Sequence, residues 1–178
     1  CQVLDACAGL GGKTGHLVEL LPTGSTVLAL EPDAHRYRLL LENINRLGHE
    51  KQVRPLQGTL ATLGRKKPPP FDAILIDAPC SGTGVIRRQP DIRWSRQAAD
   101  LPKYAQQQAA LLHEAASLLK PGGLLVYATC SLEPEENMQV VERFLASSSS
   151  FDLESAVPHL PEQAKVMAQS NGTLTTLP

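Results

Sequence analysis

Residues 1–31, CQVLDACAGLGGKTGHLVELLPTGSTVLALE, run from a strand through a glycine-rich turn into a helix and on to a second strand. Val3–Asp5 is a short apolar run. Gly9, Gly11 and Gly12 make the turn, and Lys13–Leu21 reads as a helix that Pro22 and Gly24 end. A glycine turn opening a helix points backbone N–H groups at one spot, which suits an anionic or polar ligand. Glu31 closes the second strand, Thr26–Leu30, about 20 residues after the glycines, where an acid can accept ribose hydroxyls.

The same alternation continues outward. Ala34–Leu47 is a helix closed by Gly48, and Val53–Gln57 a third strand. The KKPPP run at 66–70 is a surface connection that cannot pair in a sheet. Ala73–Asp77 is continuously apolar, as a central parallel strand covered on both faces should be. A long irregular loop spans Ala78 to about Asp100, followed by a helix near Tyr104–Leu119, a strand at Leu124–Thr129 and a helix at Glu135–Ala146. The pattern predicts a doubly wound, mostly parallel α/β sheet in a single domain over 1–178. Ser147–Ser150 reads as a loop, residues 151–170 show weak periodicity, and TLTTLP at 173–178 reads as a strand cut short. The abrupt start on a core strand reads as a fragment lacking upstream sequence, with its terminal hairpin incomplete.

Composition narrows the function. Charge is balanced at −1, and no apolar stretch approaches the length of a bilayer span. Four cysteines without CxxC spacing fit neither a zinc site nor a disulfide framework, so no metal is expected and reduced thiols in a cytoplasmic enzyme are. Basic residues cluster at Arg65–Lys67 and again at Arg87, Arg88, Arg93, Arg96 and Lys103. A charge run is usually a solvated face.

Three cofactor classes compete for the first loop. A phosphate-binding P-loop needs glycine where Cys7 stands, and the strict dinucleotide fingerprint fails at Thr14. An S-adenosylmethionine pocket needs a loop that admits the amino-acid portion and an acid for the ribose. Glu31 serves that cofactor and NAD equally well. What separates them lies at two cysteines after apolar strands: Cys80 in ILIDAPCSGTG (74–84) and Cys130 in GGLLVYATCSLEPEEN (122–137). Methyltransferases acting on exocyclic amines carry an aromatic residue where Cys80 follows Asp77-Ala78-Pro79. A thiol suits a different reaction, because adding a thiolate to C6 of cytosine makes C5 nucleophilic.

LDACAGLGGKTGHLVEL, LALEPDAHR, FDAILIDAPCSGTGVIRRQPDIRW and LLVYATCSLEPEENMQVVERFL together resemble the catalytic domain of the Sun/Fmu family of RNA cytosine-5 methyltransferases. Within it they are most similar to the bacterial branch that modifies small-subunit ribosomal RNA. The match runs from residue 4 to about residue 145. The resemblance implies a Rossmann-like class I fold, S-adenosyl-L-methionine as cofactor and ribosomal RNA as partner, with no membrane, metal or oligomer implied. It further implies Cys130 as nucleophile, Cys80 as an aid to product release, and Asp77 at the cytosine ring and the cofactor. Cys7, Ala8, Gly9, Leu10, Gly11, Gly12 and Lys13 would wrap the cofactor's methionine end, Glu31 its ribose and Thr59 its adenine. Lys13 is also expected near the reacting groups.

The chain departs from the family pattern in the first loop, where Ala8-Gly9-Leu10-Gly11-Gly12 lacks the usual proline, and at Gly58-Thr59, where the family has Gly-Asp. DNA cytosine-5 methyltransferases use the cysteine of a Pro-Cys turn, which makes Cys80 the rival nucleophile. Two other readings compete: an NAD(P)-linked oxidoreductase, and a non-catalytic RNA-binding module on the same fold. Trp94 reads either as a stacking surface for a base or as a plug holding the long loop, with Asp91 bracing Arg88 or Arg93.

Overall fold

The computed structural model describes residues 1–176. Five parallel strands form one sheet in the order β3-β2-β1-β4-β5: β1 (Gln2–Asp5), β2 (Thr26–Glu31), β3 (Val53–Gln57), β4 (Phe71–Asp77) and β5 (Leu119–Ala128). Successive strand residues point to opposite faces, so each buried strand feeds two cores. Leu4, Leu30, Ile74 and Ile76 meet Leu112, Ala115, Val140 and Phe144 on one face. Val3, Val27, Ala29 and Val53 meet Val18, Leu40 and Ile44 on the other. The first face is covered by α3 (Leu60–Arg65), α5 (Leu101–Ala116) and α6 (Met138–Ser147), the second by α1 (Gly12–Leu20) and α2 (Ala34–Leu47).

The doubly wound reading holds, as do α2 and β3 to the residue. Pro55 sits within β3 because β3 is an edge strand, where a missing N–H costs nothing. Several segments differ from the sequence reading. Helix α3 follows β3 directly: Thr59 accepts from the Thr62 N–H and Thr62 Oγ1 accepts from the Thr59 N–H, a reciprocal cap that starts this short helix. Helix α5 starts at Leu101 and stops at Ala116, so β5 begins at Leu119, ahead of the K-P-G-G turn. Phe71 pairs with Leu119 and Ala73 with Leu124, so Lys120–Gly123 bulge outward while Lys120 Nζ reaches Asp72 at 2.5 Å.

The long loop is not wholly irregular. It holds a 3₁₀ turn (Thr83–Val85), the single turn α4 (Ile92–Ser95) and a second 3₁₀ turn (Ala98–Asp100). The helix expected at 135–146 divides at Asn137 into a 3₁₀ turn, Pro134–Glu136, and α6. In the final stretch, 3₁₀ turns occupy Val157–His159 and Glu162–Met167. Leu174 makes one antiparallel bridge to Ala168 where a strand was expected, and Leu177 and Pro178 lie outside the described residues.

Candidate active site

The strand order turns back between β1 and β4, and loops leaving those two strands diverge there to open a crevice at the carboxyl edge. All strands are parallel, so their carboxyl ends share that edge. Cys7–Lys13 follow β1, Glu31 ends β2, Thr59 follows β3, Asp77 and Cys80 follow or end β4, and Cys130 follows β5.

The β1 loop is held from below. Asp5, 1% exposed, accepts from Thr14 Oγ1 at 2.7 Å and from the Cys7 N–H at 3.4 Å. Burial raises its carboxyl above the usual range, against the pull of those bonds. The Ala8 N–H donates to Leu30 O, and Asn43 donates to Leu10 O at 2.9 Å. Gly11 caps α1 at φ 89°, where a Cβ would also meet Leu40 at 2.7 Å. By contrast, a Cβ at Gly9 or Gly12 would meet nothing within 4 Å, so open space lies before the loop. The Cys7 thiol is pushed up to about 12, chiefly by burial, and is a packed residue rather than a reactive one.

Glu31 is buried, and its Oε1 accepts from the Asp33 N–H at 2.8 Å and from Arg36 at 3.1 Å. The second oxygen has no protein partner among the described residues. Lys13 and Asp77, expected near one another only through the resemblance, form an ion pair at 2.5 Å across the crevice. Thr59 is exposed, and its hydroxyl is committed to capping α3. The Gly58 N–H beside it donates to Glu31 O at 3.2 Å, so Thr59 stands one residue from a contact with the Glu31 backbone.

Cys80 Sγ and Cys130 Sγ stand 3.2 Å apart, both as free thiols. Cys130 is exposed and Cys80 half-buried. The Cys80 thiol is pushed up to about 12, first by burial and then by the neighbouring Cys130 sulfur. It is therefore a neutral S–H at ordinary pH, able to donate to the sulfur beside it.

Beneath the pair lies a network that sequence reasoning missed. Glu136, fully buried, accepts from the Ser81 N–H at 2.9 Å, from Ser81 Oγ, and from Gln108 Nε2 at 3.0 Å. Gln108 also donates to Pro79 O, and Ser81 Oγ meets Ser131 Oγ at 3.1 Å. One carboxylate thus binds Ser81, the residue after Cys80, and through the Ser81 hydroxyl reaches Ser131, the residue after Cys130. The Gly84 N–H donates to Cys130 O, and a Cβ on Gly84 would come within 2.8 Å of that oxygen. Tyr127 OH donates to Glu136 O at 2.6 Å, and Asn137 bridges Thr129, Ser131 and Glu133. The sequence signals were the acid ending an apolar strand at Asp5 and the E-E-N just past Cys130.

Trp94 is 83% exposed and does not plug the loop. Asp91 pairs with neither Arg88 nor Arg93 among the described residues. Among those residues, too, no helix is long and apolar enough to cross a membrane.

The family profile described as 16S rRNA methyltransferase RsmB/F matches residues 1–178. A "Ribosomal RNA small subunit methyltransferase B" of Klebsiella pneumoniae (strain 342) is 42% identical over 96% of this chain and 39% of its own length. One of the same name from Proteus mirabilis (strain HI4320) is 45% identical over 91% of this chain and 38% of its own. Among solved structures, NSun6 from Pyrococcus horikoshii with SFG aligns at a TM-score of 0.77 and 33% identity, covering 86% of this chain and 38% of that one. The chain thus spans less than half the length of the relatives it matches.

Proposed function

Because this chain belongs to the 16S rRNA methyltransferase RsmB/F family, we propose that it transfers a methyl group from S-adenosyl-L-methionine to C5 of a cytosine in small-subunit ribosomal RNA. The observation that carries the chemistry is the pair of free thiols at 3.2 Å beside the Lys13–Asp77 ion pair. An NAD(P)-linked oxidoreductase leaves both cysteine motifs unexplained.

The residues fit the cofactor. The open space before Gly9 and Gly12 admits its amino-acid end, and the uncommitted Glu31 oxygen can accept from a ribose hydroxyl. When bound, S-adenosylmethionine supplies an electrophilic methyl group. Thr59 caps its helix and can offer the adenine only a hydroxyl already engaged.

The chain's own groups prepare the base. The Cys130 thiolate forms a bond to C6, and the electron pair of the C5–C6 double bond moves onto C5 and the ring. Asp77, one oxygen held by Lys13, faces the crevice where the ring must sit and orients it. C5 then takes up the methyl group. Water in the open crevice takes the C5 proton, and the electron pair left behind restores the C5–C6 double bond and expels Cys130 as thiolate. Cys80, whose thiol burial pushes up, serves as a hydrogen-bond donor beside the leaving sulfur and so aids release. Attack is given to Cys130, the more exposed of the two, in keeping with the family resemblance.

The reading is tested by label transfer from methyl-labelled S-adenosylmethionine to ribosomal RNA, followed by mapping of the modified base. Label on cytosine C5 is the expected result. Label on an exocyclic amine or a ribose oxygen, or NAD binding without S-adenosylhomocysteine binding, overturns it.

A further inference from the structure

We propose that Trp94 is a stacking platform for an unpaired base flanking the target cytosine, with Arg87 and Arg93 neutralising the phosphates on either side. This rests on the RNA reading above and adds the place where the strand is gripped.

Helix α4 is held by one side only. Ile92 is buried, its Cδ1 filling the space where Gly82 lacks a side chain. Arg96, one turn later on the same side, donates to Ser81 O at 3.3 Å and lies 5.8 Å over the Tyr104 ring. The residues between them therefore face away from the protein. Trp94 is 83% exposed there, the only tryptophan in the chain. An indole has the largest apolar surface of any side chain, and leaving it in water on an anchored turn is costly unless something covers it.

What covers it is marked by charge. The guanidinium groups of Arg87 and Arg93 have no ion pair or hydrogen bond among the described residues, and the one acid in the segment, Asp91, pairs with neither. Ile86, Arg87, Pro90, Arg93 and Trp94 line an open depression of about 460 Å³. A flat ring flanked by unpaired cations matches the way proteins hold single-stranded nucleic acid, by base stacking and phosphate neutralisation together. Placement agrees, because Ser81 and Gly82, which anchor α4, directly follow Cys80. The platform is thus tied to the residues next to Cys80, which suits a neighbouring nucleotide rather than the reacting one.

Intrinsic fluorescence of this chain, excited at wavelengths that spare its tyrosines, reports Trp94 alone. Titration with a single-stranded oligoribonucleotide of small-subunit ribosomal sequence should quench it saturably, while a duplex of the same sequence should not. By filter binding, Trp94→Ala should weaken RNA affinity about five- to fifty-fold, with Trp94→Phe restoring most of it, since stacking is tolerant of ring type. Arg87→Ala and Arg93→Ala should each lower the salt slope of binding by about 0.7. S-adenosylhomocysteine affinity of each variant checks that the fold is intact. RNA binding by the unsubstituted chain with no quenching and no loss in Trp94→Ala overturns this inference alone. No RNA binding and no methyl transfer by the unsubstituted chain overturns it together with the function it rests on.

Discussion

Two buried carboxylates hold the two halves of the crevice, and they do so unequally. Asp5 supports the β1 loop through one hydroxyl and one long backbone bond, so burial outweighs its partners and its carboxyl is raised. Glu136 supports the β4 and β5 loops through three donors from Ser81 and Gln108, with further bonds carrying the tie to Ser131. The half that would hold a cofactor is cradled loosely, as a loop that must admit and release a ligand should be. The half that carries the thiols is braced, as groups that must meet one carbon atom should be.

The sharpest way to break that comparison is to remove each carboxylate. Glu136→Ala strands the Ser81 N–H, the Ser81 hydroxyl and a Gln108 N–H in a dry interior, and should cost about 3–5 kcal/mol of stability. Asp5→Ala frees one hydroxyl and one weak backbone contact and removes a poorly solvated charge, so about 1–2 kcal/mol is expected. Urea unfolding of the two variants decides it, and equal losses would remove the distinction. Methyl transfer should fall further in Glu136→Ala than in Asp5→Ala, while S-adenosylhomocysteine affinity should fall more in Asp5→Ala.

The pH dependence offers a smaller effect on the same contrast. Asp5 has a raised folded-state pKa, so protonation favours the folded chain, and its contribution fades as pH rises through that value. Asp5→Asn should therefore remove that loss, so that the variant's stability, relative to the unsubstituted chain, improves as pH rises from acid to neutral. The Cys7 and Cys80 thiols, both at about 12 against an ordinary 9.0, have the same sign. Their contribution is complete below pH 9.0 and is lost on the way to about 12. Cys7→Ala should make the alkaline limb of a Tm-against-pH curve shallower. Alkylation at pH 8, read by peptide mass, should label Cys130 well before Cys7 or Cys80, since those two are held as neutral thiols.

Much of this was legible in the sequence because it rests on local signals. Apolar runs of strand length, helix stops at Gly48 and Pro22, and cysteines just past strands are written within a few residues. Helix α3 was not, because its six residues contain a glycine and its cap is a Thr–Thr pair rather than the usual acid. The Glu136 network was hidden for a different reason. Ser81, Gln108, Ser131 and Glu136 are far apart in the chain, and only the packing of α5 against the β5 loop brings their polar atoms together. Asp91 misled for the opposite reason, since charges close in sequence need not pair when a turn points them apart.

The unequal roles of the two thiols are the centre of the account. Variants Cys80→Ala and Cys130→Ala, incubated with S-adenosylmethionine and ribosomal RNA and run on a denaturing gel, test it most directly. Cys80→Ala should accumulate a slow-migrating protein–RNA adduct carrying the methyl label, because attack proceeds and release stalls. Cys130→Ala should give neither adduct nor methylated RNA. An adduct in Cys130→Ala and none in Cys80→Ala would contradict the account and make Cys80 the nucleophile.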